Sequence, residues 1–223
     1  LVEQIITSHS KVYGGGELSI LSNLIKENLI ENNEIHTNKT LELMKNYSKI
    51  KSISSEYYDY IKYFDYKEEF LTDKAPLNFR WIGFIKIFFP NAKIIHCKRD
   101  PKNNCLSLYK NFFEGGLNFT YSEKDLIKYY KSYSKLMDFW HSKEDNGILN
   151  INYEDLVNDK EQQIKTILEY CNLKWEDNCF NFHKNKNPIK TMSTAQARKP
   201  IYKSSLNSFE KYRNFLKDIN SNL

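Results

Sequence analysis

The stretch Glu68–Asp100, EEFLTDKAPLNFRWIGFIKIFFPNAKIIHCKRD, passes through several distinct patterns in order. A short strand is expected near Phe70, followed by a turn-forming loop at Asp73–Pro76. Apolar residues then recur at helical spacing up to Pro90, and Lys93–Cys97 reads as a buried strand. Strand, crossover helix and strand in this order predict a βαβ unit and a parallel sheet.

The pattern continues on the C-terminal side. After Arg99, Asp100 can accept from the free N–H groups of a new helix while Pro101 fits its first turn. Ser122 and Asp125 make a capping-box-like start, and Leu126, Tyr130, Tyr133, Met137 and Trp140 follow at helical spacing, which marks a core-facing stripe. GILNINYEDLV alternates as a strand and then turns, and Ile164, Ile167, Leu168 and Cys171 predict another amphipathic helix.

The N-terminal side is less regular. LVEQIITSH carries apolar residues at helical spacing, so the chain is expected to begin inside a helix. KVYGGGELS follows, with glycines at 14, 15 and 16 marking a loop where the backbone takes unusual angles or passes close to something. Residues 17–66 hold helical patterns broken by polar patches such as ENNEIHTNKT, without a repeat.

With 223 residues, 40% of them apolar, one domain with a full core is the default expectation. The formal charge of +5 mildly favours an anionic ligand. The basic residues show no stripe in the sequence and the aromatics sit at core spacings, which argues against nucleic acid. No apolar run approaches a membrane span and no signal-peptide pattern is present, so a cytoplasmic protein without a membrane partner is expected. The cysteines at 97, 105, 171 and 179 form no C-x-x-C pair, which disfavours zinc and a disulfide framework.

In open parallel sheets, ligands bind beyond the carboxyl ends of the strands, where helix N-termini present N–H groups to anions. Lys74, Arg99 and Tyr153 each follow a predicted strand. Arg99 supplies charge and paired donors, and Ser107, about two helical turns along, supplies a directional hydroxyl; together they suit a phosphate. A plainer reading pairs Arg99 with Asp100 or Glu154 and leaves Ser107 as an ordinary helix serine.

KIIHCKRDPKNNCLSLYKN resembles the 3′-phosphate-binding segment of sulfotransferases that use 3′-phosphoadenylyl sulfate (PAPS). GGGEL, TDKAPLNF, YEDLV and STAQARKPIYKSS extend that resemblance over nearly the whole chain. It is strongest to bacterial TPR-linked sulfotransferases and tyrosylprotein sulfotransferases. The resemblance implies an α/β, P-loop-NTPase-like sulfotransferase fold with a central parallel sheet flanked by helices, formed by residues 1–223 as one domain. It also implies that Arg99 and Ser107 bind the 3′-phosphate, that Tyr153 lies near the adenosine, and that Ser193–Tyr202 folds over the nucleotide. Lys199 and Tyr202 then join the cofactor contacts, and Ser208 stands where relatives often have a basic residue. Glu17 matches a glutamate that takes the acceptor's proton, Lys74 a lysine beside the bridging oxygen of the sulfate, and Ser193 a serine holding the same region.

This implies sulfuryl transfer from PAPS to an acceptor hydroxyl, with protein tyrosine a candidate, adenosine 3′,5′-bisphosphate (PAP) as product, and no metal. A family loop of P-R-S-G-T-T type would immediately precede LVEQI. The sequence therefore reads as an N-terminally truncated domain with weak or no activity by itself. GGGE does not replace that loop, since it lacks G-x-x-x-x-G-K-[ST] spacing and follows a helical pattern instead of a strand. Other classes compatible with these features are a P-loop nucleotide kinase and a non-catalytic module that binds nucleotide or nucleic acid.

Overall fold

A computed structural model describes residues 1–113, 116–143, 147–185, 201, 203 and 206–223. The expected site residues Ser193, Lys199 and Tyr202 lie outside the described residues. The chain divides into two compact units, one built from Leu1–Lys93 with Glu176–Arg198 and the other from Ile94–Trp175 with Lys199–Leu223.

The first unit opens with α1 (Val2–Ile6) and β1 (Val12–Gly14), then α2 (Ile20–Leu29). A small antiparallel hairpin, β2 (Ile30–Glu31) and β3 (Glu34–Ile35), occupies the polar patch ENNE. Its turn residues Asn32 and Asn33 both have positive φ, 52° and 65°. Asparagine tolerates this region, and such a turn matches the twist of paired strands. Then come α3 (Thr37–Lys45), α4 (Tyr47–Lys62), β4 (Phe70–Thr72) and a 3₁₀ turn, Pro76–Trp81, leading into α5 (Ile82–Phe88). Asn46 caps α4 by accepting from Lys49 N at 3.0 Å. Leu21, Leu24, Ile25 and Leu29 of α2 pack with Ile53, Tyr57 and Ile61 of α4, with Trp81 and with Phe88. Each helix thus buries one apolar stripe, which is the main term holding it.

The second unit contains β5 (Ile94–Lys98), α6 (Pro101–Tyr109), α7 (Glu123–Lys143), β6 (Ile148–Asn152), α8 (Tyr153–Asn158) and α9 (Lys160–Tyr170). The helix Lys217–Asn222 closes it. Asp100 caps α6 as expected, its carboxylate accepting from Asn103 N at 2.8 Å. Ser122 Oγ accepts from Asp125 N at 3.3 Å at the start of α7. Cys105, Leu106, Leu126, Ile127, Phe209, Leu216 and Ile219 form the core on this side. His96 of β5 is joined to Asn150 of β6 at 2.9 Å and to the Tyr133 hydroxyl of α7, which ties the pair of strands to the helix.

Three sequence expectations change. Parallel pairing is present, yet the partners differ from the predicted βαβ unit. β4 pairs with β1, Val12 opposite Phe70, and β5 pairs with β6, Ile94 opposite Ile148. Local patterns specify strands, whereas pairing is chosen by contacts far along the chain. The strand expected to be buried at Lys93–Cys97 runs from Ile94 to Lys98; its first three residues are half-buried, and Cys97 and Lys98 are exposed. Among the described residues it is paired along one edge only, by β6. Finally, Lys124, Lys128, Lys131 and Lys135 do form a stripe, all exposed on one face of α7, because intervals of four and three residues align only once the helix is formed.

Candidate active site

Lys74, Arg99 and Tyr153 all stand just beyond the carboxyl ends of parallel strands: β4 ends at Thr72, β5 at Lys98 and β6 at Asn152. In open α/β sheets, ligands bind beyond the carboxyl ends of the strands. Glu17 and Lys74 belong to the first unit, and Arg99, Ser107 and Tyr153 to the second.

In the first unit, the glycine segment follows a strand, contrary to the expectation that GGGE follows a helical pattern. β1 ends at Gly14, and the parallel ladder with β4 runs on into the loop. Gly15 N donates to Thr72 O at 3.0 Å and Lys74 N donates to Gly16 O at 2.7 Å. A Cβ at position 15 would stand 2.4 Å from Thr72 O, so only glycine permits this approach. Gly16 takes φ +71°, in the left-handed region where side chains are strained. Glu3 of α1 braces both strands of the loop, accepting from Gly16 N at 3.1 Å and from Thr72 Oγ1 at 3.2 Å.

The result is that Glu17 and Lys74 are brought together in an ion pair between Lys74 Nζ and Glu17 Oε1. Both side chains remain partly exposed, 47% for Glu17 and 32% for Lys74, so solvent or a ligand can reach them. Behind them, Asp73 accepts from Tyr57 Oη at 3.1 Å and from Asn78 Nδ2 at 3.4 Å. Burial pushes the Asp73 carboxyl up to about 6, against the opposing pull of these hydrogen bonds. Burial and the neighbouring Asp73 push the Tyr57 hydroxyl well above its ordinary value.

In the second unit, the Arg99 guanidinium lies over the Tyr153 ring, 4.9 Å from its centroid. Glu154 accepts from Asp100 N at 3.0 Å and so links the start of α6 to the start of α8. Ser107 lies half-buried on α6, one turn beyond Asn103 and on the same face. Asn103 is 7% exposed and fully engaged. Its Nδ2 donates to Asp100 Oδ1 at 2.7 Å and to Leu206 O at 2.9 Å, and its Oδ1 accepts from Phe209 N at 3.0 Å. The returning segment at 206–209 is thereby fastened to α6 between Arg99 and Ser107.

A model of the sulfotransferase family matches residues 1–177. The chain belongs to the sulfotransferase family. A relative from Aquifex aeolicus (strain VF5), itself uncharacterized, is 32% identical over 225 residues, covering 97% of this chain. This chain spans 29% of that relative's length. Among solved structures, the sulfotransferase domain from the Synechococcus PCC 7002 olefin synthase aligns with a TM-score of 0.64 at 14% identity, over 94% of this chain and 82% of that one. The sulfotransferase domain from the curacin biosynthetic pathway aligns with a TM-score of 0.56 at 15% identity, over 97% and 92%. The chain thus has the α/β, P-loop-like fold of these domains, with parallel strands among many helices.

Sequence reading of this family member missed Glu3, Asp73 and Asn103. Asp73 stood in full view beside Lys74 in TDKAP, where an acid in a turn looks solvated. Asn103 sat in the polar run DPKNNC. Neither residue type nor spacing signals burial at these positions. Their partners Tyr57, Leu206 and Phe209 lie 16 to 106 residues away.

Proposed function

We propose that this sulfotransferase moves the sulfuryl group of PAPS to an acceptor hydroxyl. The acceptor oxygen attacks sulfur, the bond from sulfur to the phosphate-bridging oxygen breaks, PAP departs, and the acceptor's proton passes to Glu17. Lys74 meets the negative charge that builds on the departing oxygen. When the donor's sulfate draws Lys74 toward itself, the Glu17 carboxylate is released from its ion pair to act as base. Arg99 and Ser107 hold the 3′-phosphate, with Tyr153 against the adenosine. Ser193, Lys199 and Tyr202 are assigned to the donor on the strength of resemblance. An in-line displacement of this kind needs no metal. A tyrosine hydroxyl is the first acceptor to try, and Cys97, Cys105, Cys171 and Cys179, which form no disulfide among the described residues, suit a reducing, cytoplasmic setting.

The observation that carries this reading is the Arg99 guanidinium at the mouth of β5, set on Tyr153 directly before the capped start of α6. A planar donor fork, helix N–H groups and an aromatic face together suit a nucleotide phosphate. Calorimetry of PAP binding, on protein expressed from the complete reading frame, tests it. Arg99→Ala should weaken PAP binding by about tenfold or more, the worth of a charge-assisted hydrogen bond. Equal affinity of the two proteins overturns the assignment.

A further inference from the structure

Glu17 and Lys74 come from different segments of the chain, and an ion pair this exposed is too weak to set two segments in register. The bonds that do so converge on Gly16, the residue directly before the acid. Its carbonyl accepts from Lys74 N at 2.7 Å, and its N–H donates to Glu3 Oε1 at 3.1 Å. Gly16 at φ +71° is a natural pivot, so the direction in which Glu17 leaves the turn depends on how those two polar groups are held. The same Glu3 oxygen accepts from Thr72 Oγ1 at 3.2 Å, two residues before Lys74. A closed ring results: Glu3 to Gly16, Gly16 to Lys74, and back along the chain through Asp73 and Thr72 to Glu3.

We infer that Glu3 is the positioning residue of this site: one carboxylate oxygen ties the residue before the base to the strand end that carries the cation, and so sets their spacing. The inference rests on the roles proposed above for Glu17 and Lys74. It goes beyond them in naming a residue on a third element, α1, that acts only through the backbone and side chain it holds.

Glu3 can serve as a fixed reference because α1 is itself fixed. Ile5 is 0% and Ile6 7% exposed, directly after Glu3. Thr7, the C-cap of α1, lies against the end of β1, since a Cβ at Gly14 would stand 3.1 Å from Thr7 Cγ2. A charged acceptor strengthens both hydrogen bonds, and one oxygen with two lone pairs has room for both donors. The competing account is that the negative charge alone matters, through the local field. Glutamine separates the two, because its carbonyl oxygen keeps both acceptor sites without the charge, whereas alanine keeps neither.

Glu3→Ala and Glu3→Gln in protein expressed from the complete reading frame provide the test. In Glu3→Ala, hydrogen exchange should accelerate about tenfold or more at the amides of both Gly16 and Lys74, with amides inside α4 still protected. Turnover of PAPS with 4-nitrophenol as acceptor should lose about tenfold or more in kcat, because small displacements of reacting groups are costly, while PAP affinity by calorimetry stays within about twofold. Glu3→Gln should restore exchange and kcat to within about threefold of wild type. Acceleration at Gly16 with Lys74 unchanged overturns the inference, since Glu3 would then cap one loop without setting the register of two. A Glu3→Gln protein as impaired as Glu3→Ala overturns it in favour of charge, and an unchanged kcat in folded Glu3→Ala overturns it outright. If Glu3→Ala does not fold, Thr72→Val removes one of the two bonds and suits a strand. It should speed exchange at Lys74 and lower kcat by about threefold each, and no change in either overturns the inference equally. If wild-type protein neither binds PAP nor consumes PAPS, the assignment of the donor fails, and exchange at Gly16 and Lys74 still decides the bracing.

Discussion

The loop after β4 and the turn after β5 place charged groups at equivalent points in their strands, yet they are secured differently. At β4, the loop is an extension of the parallel ladder: main-chain bonds from Gly15 and Lys74, a glycine that permits close approach, and the half-buried Asp73 carboxylate behind. At β5, the chain turns at once into a capped helix, and side chains hold the surroundings: Asp100 on Asn103, Glu154 on Asp100, Asn103 on Leu206 and Phe209. The first depends on backbone geometry between distant strands, while the second depends mostly on individual polar side chains. Mutations should therefore act through different routes in the two regions.

The largest effect on stability is expected at Asn103. Replacing it with alanine orphans Leu206 O and the Phe209 N–H, whose residue is 2% exposed. At about 1–3 kcal/mol for the buried Phe209 N–H, and less for the part-buried Leu206 carbonyl, Asn103→Ala should cost about 3 kcal/mol in urea unfolding. A loss below about 1 kcal/mol would break the comparison, since it would mean that the returning segment does not depend on this side chain.

A smaller effect, with a distinctive pH dependence, belongs to Asp73. Its folded pKa, about 6, stands above the ordinary 3.8. The folded state therefore binds this proton more tightly than the unfolded chain does. The resulting stabilisation is fully present below about pH 4 and disappears as pH rises through about 6. A shift of this size is worth about 3 kcal/mol, reduced to about 2 kcal/mol by the group's partial exposure. The stability of wild type relative to Asp73→Asn should fall by that amount between pH 4 and 7. A difference that stays flat across this range would show that the carboxyl is not held away from water.

The smallest effect is expected at Lys11, which meets Glu69 at 2.7 Å just before β1 and β4, with both side chains more than half exposed. Lys11→Ala should change stability by less than about 0.5 kcal/mol, because solvent screens such pairs. A loss above about 1 kcal/mol would sharpen the comparison in an unexpected direction, by showing that a surface charge pair contributes to the β1–β4 register.

Much of this molecule was legible in its sequence because the signals are local. Asp100 and Pro101 start α6, Ser122 starts α7, and the strands at Phe70, Ile94 and Ile148 appear within a residue or two of where pattern places them. Lys74, Arg99 and Tyr153 inherit their strand-end positions from those elements. β1 was not legible, because Val12–Gly14 with two further glycines has no strand pattern of its own and becomes a strand only against Phe70–Thr72. The lysine stripe of α7 was hidden for the opposite reason, since its members are spread along the sequence and align only at helical periodicity.

By itself, then, the sequence determined the elements, their caps and the chemical types waiting at the strand ends, since each depends on residues within one or two helical turns. Only the tertiary structure decided which strands pair, that Glu17 meets Lys74, and that a half-buried Asp73 and a buried Asn103 find their hydrogen-bond partners. Those outcomes depend on groups 16 to 106 residues apart, and a hydrogen bond formed across such distances has no signature until the chain has closed around it.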